Sequence, residues 1–111
     1  MSEANWKVYS KSWSQPETER KAVLASLTAS DVTYTDPTVN LSGQSSFSDY
    51  MGEFQKQFPG TEFQINDVRE HHGQSLANWK LVDGAGNVMM LGTSHARLTE
   101  EGKFTSFTGF F

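Results

Sequence analysis

The sequence predicts an α+β domain in which a cone-shaped, curved antiparallel sheet wraps around three N-terminal helices. Up to Gly60 the apolar residues recur at helical spacing, and from Phe63 onward they alternate with period two. Turn signals at Asp83-Gly-Ala-Gly-Asn87 and Thr99-Glu-Glu-Gly102 then cut the second half into strands that must run antiparallel. A sheet curved in this way and covered by helices on one side leaves a conical pocket inside.

Trp6, Tyr9 and Trp13 are spaced i, i+3, i+7 and line one side of a first helix. Ser14-Gln-Pro-Glu17 reads as a capping box for a second helix, with Val23, Leu24 and Leu27 as its stripe and an end near Ala29 or Ser30. A strand over Asp31–Asp36 follows, and Leu41-Ser-Gly43 reads as a loop. Ser46-Phe-Ser-Asp49 opens a third helix whose stripe is Phe47, Tyr50, Met51, Phe54 and Phe58, stopped by Pro59-Gly60. The meander begins at Phe63-Gln-Ile65 and continues through Val68 towards His71 and His72. Phe63 and Ile65 have the opposite parity to Val68, so a bulge near Asn66-Asp67 is required. Strands over Leu76–Val82, Val88–Leu98 and Lys103–Phe111 complete it.

The 111 residues predict one domain over 1–111, with 14 aromatics (8 Phe, 3 Tyr, 3 Trp) to fill a core. A net charge of −4 with scattered Lys and Arg excludes the basic stripe of a nucleic-acid partner. No apolar run reaches the ~20 residues of a membrane span, and Met-Ser-Glu-Ala-Asn lacks the layout of a signal peptide. Cytoplasmic residence is expected. Without Cys there is no disulfide or thiolate chemistry.

The stretch Asp31-Val-Thr-Tyr-Thr-Asp-Pro37 carries the chemistry. Alternation puts Val32, Tyr34 and Asp36 on one face, and an ionised carboxylate is costly on an apolar face without partners. Pro37 ends the strand, so Asp36 either caps the turn or stands at the mouth of the pocket as a working carboxylate. Met90, Gly92, Ser94, Ala96 and Leu98 share one face, as do Ala77, Trp79 and Leu81, which leaves His95 and Arg97 outside. Adjacent strand histidines face opposite ways, so His71 and His72 cannot both ligate one ion. No metal and no cofactor are expected. The apolar residues on both faces of Phe107–Phe111 predict a homodimer formed through the sheet.

With these motifs in place the chain resembles the nuclear transport factor 2-like superfamily, and within it the SnoaL-like branch with its ketosteroid isomerase relatives. The resemblance rests on Trp13, Val32-Thr-Tyr-Thr-Asp-Pro37, Gly43, Phe54-Gln55, Phe58-Pro-Gly60, His71-His-Gly73, Trp79 and Thr108-Gly-Phe-Phe111. It implies the cone-shaped fold, but the superfamily holds isomerases, dehydratases, cyclases, epoxide hydrolases and non-catalytic domains. Asp36 falls where the isomerase-like members carry a general base. Ser94 falls where they carry a second carboxyl, and a hydroxyl there can donate a hydrogen bond but cannot hold the proton. Tyr34 substitutes for their phenol, since Tyr9 is displaced by about one turn.

The resemblance therefore implies an isomerase, cyclase or dehydratase acting on a small apolar carbonyl compound. Asp36 would be the base, His72 or His71 its proton partner, and Ser94 or Tyr34 the donor to the oxyanion. Trp13, Phe54, His71, Trp79 and Met90 would line the pocket, and its apolar wall would raise the Asp36 pKa by desolvation. The alternatives are a non-catalytic domain that holds a hydrophobic ligand or a protein partner, and a filled core whose polar groups satisfy one another.

Overall fold

The computed structural model describes residues 2–111. Its elements are α1 (Glu3–Ser12), α2 (Glu17–Leu27), β1 (Thr28–Asp36), β2 (Val39–Ser42), α3 (Gln44–Gln57), β3 (Glu62–His71), β4 (Gln74–Val82), β5 (Val88–Leu98) and β6 (Phe104–Phe110). The six strands form one sheet in the order β2-β1-β6-β5-β4-β3. Strands β3 to β6 are the meander that the period-two pattern predicts. Of the two remaining junctions, β1 with β2 is antiparallel and β1 with β6 is parallel, with Tyr34 opposite Phe107 and Thr35 opposite Thr108. The sheet is therefore mixed.

Several local expectations are corrected. Strand β1 starts at Thr28, directly after Leu27, because Thr28 is already extended and its hydroxyl closes the helix on the Leu24 carbonyl at 2.6 Å. The stretch read as a loop is β2, folded back so that Asp36 pairs with Val39 and Tyr34 with Leu41. Neither capping box forms. Ser14 donates back to the Lys11 carbonyl at 3.2 Å while Pro16 takes the cap of α2, and Gly43 at φ 90° starts α3 before Ser46 is reached.

Helix α1 lays Trp6 and Tyr9 on the sheet. Trp6 meets Phe104 edge-on at 5.2 Å, and Tyr9 stacks on Phe107 at 4.2 Å. Phe47 of α3 stacks on Tyr34 at 4.7 Å. Such aromatic pairs add stability beyond their buried area, which fixes the helices against the concave face. Between α2 and α3 lies a buried cation, Arg20. Its Nε donates to the Ser48 carbonyl at 3.0 Å and to Ser48 Oγ at 2.9 Å, and Nη1 donates to the Gln15 carbonyl at 3.3 Å. All of these partners are neutral oxygens.

In β3 the register passes from Ile65 opposite Trp79 to Asp67 opposite Asn78, so Asn66 is the extra residue that reconciles the two parities. The convex face of the sheet carries the exposed Met89, Leu91 and Phe110. Among the described residues no helix is long and apolar enough to cross a membrane.

Candidate functional site

A cavity of about 300 Å³ lies between the helices and the concave face. Its wall is a run of rings. Trp13 packs on Phe54 at 5.4 Å, Phe54 on Phe63 at 5.2 Å, and Phe63 on Trp79 at 5.1 Å. Trp79 can lie flat there only because the residue opposite it on β5 is Gly92. A Cβ at that position would come within 2.1 Å of the indole.

The polar end is built on Asp36, which is 8% exposed. Its two oxygens divide the alternatives that the sequence leaves open. Oδ1 accepts the Thr38 amide at 2.8 Å, the Thr38 hydroxyl at 2.8 Å and the Val39 amide at 3.1 Å, which is the turn-capping role. Oδ2 accepts the hydroxyls of Tyr34 and Tyr50, both at 2.9 Å, at the cavity. Tyr34 is its neighbour on β1, and Tyr50 arrives from α3.

These donors set the charge. Burial pushes the Asp36 carboxyl up, but the hydrogen bonds from Thr38, Tyr34 and Tyr50 outweigh it and hold the group below the usual carboxylate range. The expectation that the apolar wall raises this pKa is thereby corrected. Tyr34 is pushed far up, first by burial and then by electrostatic coupling to the Tyr9 phenol and the Asp36 carboxylate. Tyr50 is also raised, chiefly by burial. Both phenols stay protonated, and each spends its proton on Asp36.

Ser94 Oγ accepts the Trp79 indole N–H at 3.0 Å, which leaves its own O–H free to donate. Around Gly109 three of the residues singled out in the sequence converge. A Cβ placed there would be 3.6 Å from Asp36 Cβ, 3.7 Å from Ser94 Oγ and 3.8 Å from the Tyr34 hydroxyl. Trp13, Phe54, Trp79 and Met90 stand in the cavity wall, with Phe54 and Met90 half-buried.

The histidines are elsewhere. His71 and His72 are exposed at the β3–β4 turn, with their Nδ1 atoms 3.2 Å apart, and neither lines the cavity. Strand β3 ends at His71, and His72 takes the left-handed φ of 49°. The alternation that would aim His72 inward stops one residue early. His95 lies outside as well, 3.2 Å from Gln74. Sequence reasoning missed the part that Tyr50 and Thr38 play. Tyr50 reads as one more member of an apolar helix stripe, and the only signal was its phenol tip. Among the described residues, no three His, Asp or Glu gather as a metal site.

The model of the SnoaL-like domain family matches residues 16–107. The chain belongs to the SnoaL-like domain family. No curated protein matches this SnoaL-like chain. Among solved structures it is similar to a candidate isomerase of the SnoaL-like family from Agrobacterium tumefaciens. That likeness has 22% identity over 96% of this chain and 93% of the other, with a TM-score of 0.89. A candidate polyketide cyclase from Sinorhizobium meliloti matches at 12% identity over 96% and 93% of the two chains, with a TM-score of 0.75. A protein of ketosteroid isomerase-like fold from Catenulispora acidiphila, solved with trimethylamine, matches at 13% identity. There the coverage is 100% of this chain and 87% of the other, and the TM-score is 0.75. At such identities these likenesses show the SnoaL-like fold alone.

Proposed function

We propose that this protein holds a small, mostly apolar molecule in the aromatic cavity, with Asp36, Tyr34 and Ser94 at its polar end. The convergence of these three on Gly109, each within 3.8 Å of the space a Cβ would take there, carries the reading. A filled core of mutually satisfied polar groups would leave no such space, whereas this cavity has about 300 Å³. That volume is at the lower end of the ~300–1,000 Å³ usual for ligand sites. Titrating small aromatic and alicyclic compounds while following tryptophan fluorescence tests it. Met90→Trp, which fills the cavity from β5, is expected to abolish the response while the fold persists. A response unchanged by that substitution would sink the reading.

A second reading has its own support: the same cavity as an acid–base enzyme of isomerase, cyclase or dehydratase type. Asp36 is ionised and Ser94 keeps a free O–H. A carbonyl compound could give an α-proton to Oδ2 while the electrons moving onto its oxygen meet the Ser94 hydroxyl. A carboxylate held by two phenols is a weak base, so one of them must first let go. Tyr50 is suited to this, since its hydroxyl has Thr38 Oγ1 as another partner at 3.0 Å. The histidines take no part. Here Asp36→Asn should lower turnover of any apolar ketone or enone found by ~10²–10⁴-fold. Undiminished turnover would remove Asp36 from the chemistry.

We also propose that the convex face, with Leu91 at 67% and Phe110 at 59% exposure, pairs with a second copy of the chain. Thr93 and Phe110 are opposite one another on β5 and β6, which puts Leu91 and Phe110 on adjacent strands of one face. Sedimentation that finds only monomer at micromolar concentration would count against it.

A further inference from the structure

Inside the cavity the charges do not balance. Asp36 is nearly buried and ionised, and every group that touches its oxygens is neutral. Among the described residues, the other charged residue of the lining is also an acid, Glu53, and no Lys, Arg or His lines the cavity. Glu53 stands at the rim, where exposed Lys56 meets it at 3.1 Å, so it contributes little inside. A buried carboxylate is ordinarily accompanied by a cation, because neutral donors satisfy its lone pairs without cancelling its field.

The direction of the hydrogen bonds gives the same sign. Tyr34 and Tyr50 both donate to Oδ2, so what they turn towards the cavity is oxygen lone pairs. A ligand carboxylate or phosphate would meet acceptors backed by an anion. Ser94 keeps a hydroxyl proton to donate, but one such hydrogen bond does not offset the repulsion between a ligand anion and ionised Asp36. Much of the rest of the wall is apolar, and Trp13, Phe54, Phe63 and Trp79 give it ring surface. The faces of such rings attract cations and accept methyl or methylene groups equally well.

We infer that the ligand of this cavity is an organic ammonium ion, whose apolar substituents lie against the rings while its charge faces Asp36. The inference rests on the cavity being a ligand site and adds the sign of the ligand's charge. A tertiary amine brings one N–H⁺ for a phenol oxygen. A quaternary ammonium needs no acceptor and is held by the rings and the field alone. The low carboxyl pKa keeps the counter-charge present throughout the neutral and mildly acidic range.

The experiment compares three probes of similar shape on the folded wild-type protein by calorimetry or competition: benzyltrimethylammonium, its neutral carbon isostere neopentylbenzene, and phenylacetate as the anion. The cation is expected to bind at least about tenfold more tightly than the isostere, as a desolvated cation–aromatic and cation–carboxylate contact requires. Phenylacetate should bind least. Asp36→Asn should bring the cation down to the level of the isostere and leave the isostere unchanged, which shows that the cavity persists in the variant. Equal affinity for cation and isostere in the wild type would overturn the inference and leave the cavity reading standing. Preference for phenylacetate would overturn it too. Failure of all three to bind would overturn both. The wild-type comparison needs no variant, so a misfolded Asp36→Asn cannot obscure the result.

Discussion

The hydroxyl of Tyr50 on α3 meets the Asp36 carboxylate at the end of β1 at 2.9 Å. This contact ties a helix to the edge of the sheet through a charge. Tyr50→Phe removes one of the two phenol donors on Oδ2 and is expected to cost about 0.5–1.5 kcal/mol, because water can reach this half-buried group. Tyr34→Phe removes the buried donor and should cost roughly 1.5–3 kcal/mol, in the range for hydrogen bonds to charged groups. Urea unfolding compares the two, and NMR of the carboxyl carbon should find the Asp36 pKa raised in both. Equal costs would mean that the two phenols are equally hydrated.

The same carboxylate makes stability depend on pH. Its folded pKa is lowered, so its contribution is complete above the ordinary carboxylate value and is lost as pH falls through the folded one. Unfolding free energy should therefore be flat near neutrality with respect to this group and fall below about pH 4. Asp36→Asn should lose that part of the acid slope. A variant with the wild-type slope would assign the acid sensitivity to other carboxyls.

Gly92 is required by Trp79 rather than by its own backbone. Gly92→Ala would put a methyl 2.1 Å from the indole, so the ring must rotate and give up its 3.0 Å bond to Ser94. A loss of about 1–3 kcal/mol is expected, as for overpacking, together with a shift in tryptophan emission. Trp79→Leu in the Gly92→Ala background should recover part of the loss, and no recovery would mean that the strain lies elsewhere.

Arg20 tests a cation held by neutral oxygens. Its Nε reaches two atoms of Ser48, a geometry that a lysine ammonium on a flexible stem does not reproduce. Arg20→Lys should cost roughly 1–3 kcal/mol in denaturant unfolding, about as much as leaving a buried acceptor unpaired. Unchanged stability would show that water substitutes for the guanidinium.

What could be read from the chain is what burial imprints on it. Trp6, Tyr9 and Trp13 announce α1, and the parity conflict between Ile65 and Val68 announces the Asn66 bulge, because each pattern is forced by one buried face. Phe54 illustrates a limit of that logic. Its spacing assigns it to the core, but it is half-buried in the cavity wall, so truncating it should cost less than the ~3–5 kcal/mol of a filled site. A four-residue strand such as β2 carries no period to detect. His72 was misplaced because one left-handed turn residue ends an alternation, and Tyr50 was missed because a phenol on an apolar stripe looks like packing.

The parallel junction of β1 with β6 also sets the order in which the protein can mature. Residues 28–36 and 104–110 are neighbours in the sheet but lie far apart in synthesis. Before β6 is made, β1 and β2 can form a hairpin and β3 to β5 a separate meander, but no strand pairs the two. Gly109, on which Asp36, Tyr34 and Ser94 converge, lies in β6, the strand that makes this junction. Pairing at such long separation is slow. Clipping a few residues from the end of β6 would unseat the two halves of the sheet rather than trim an edge.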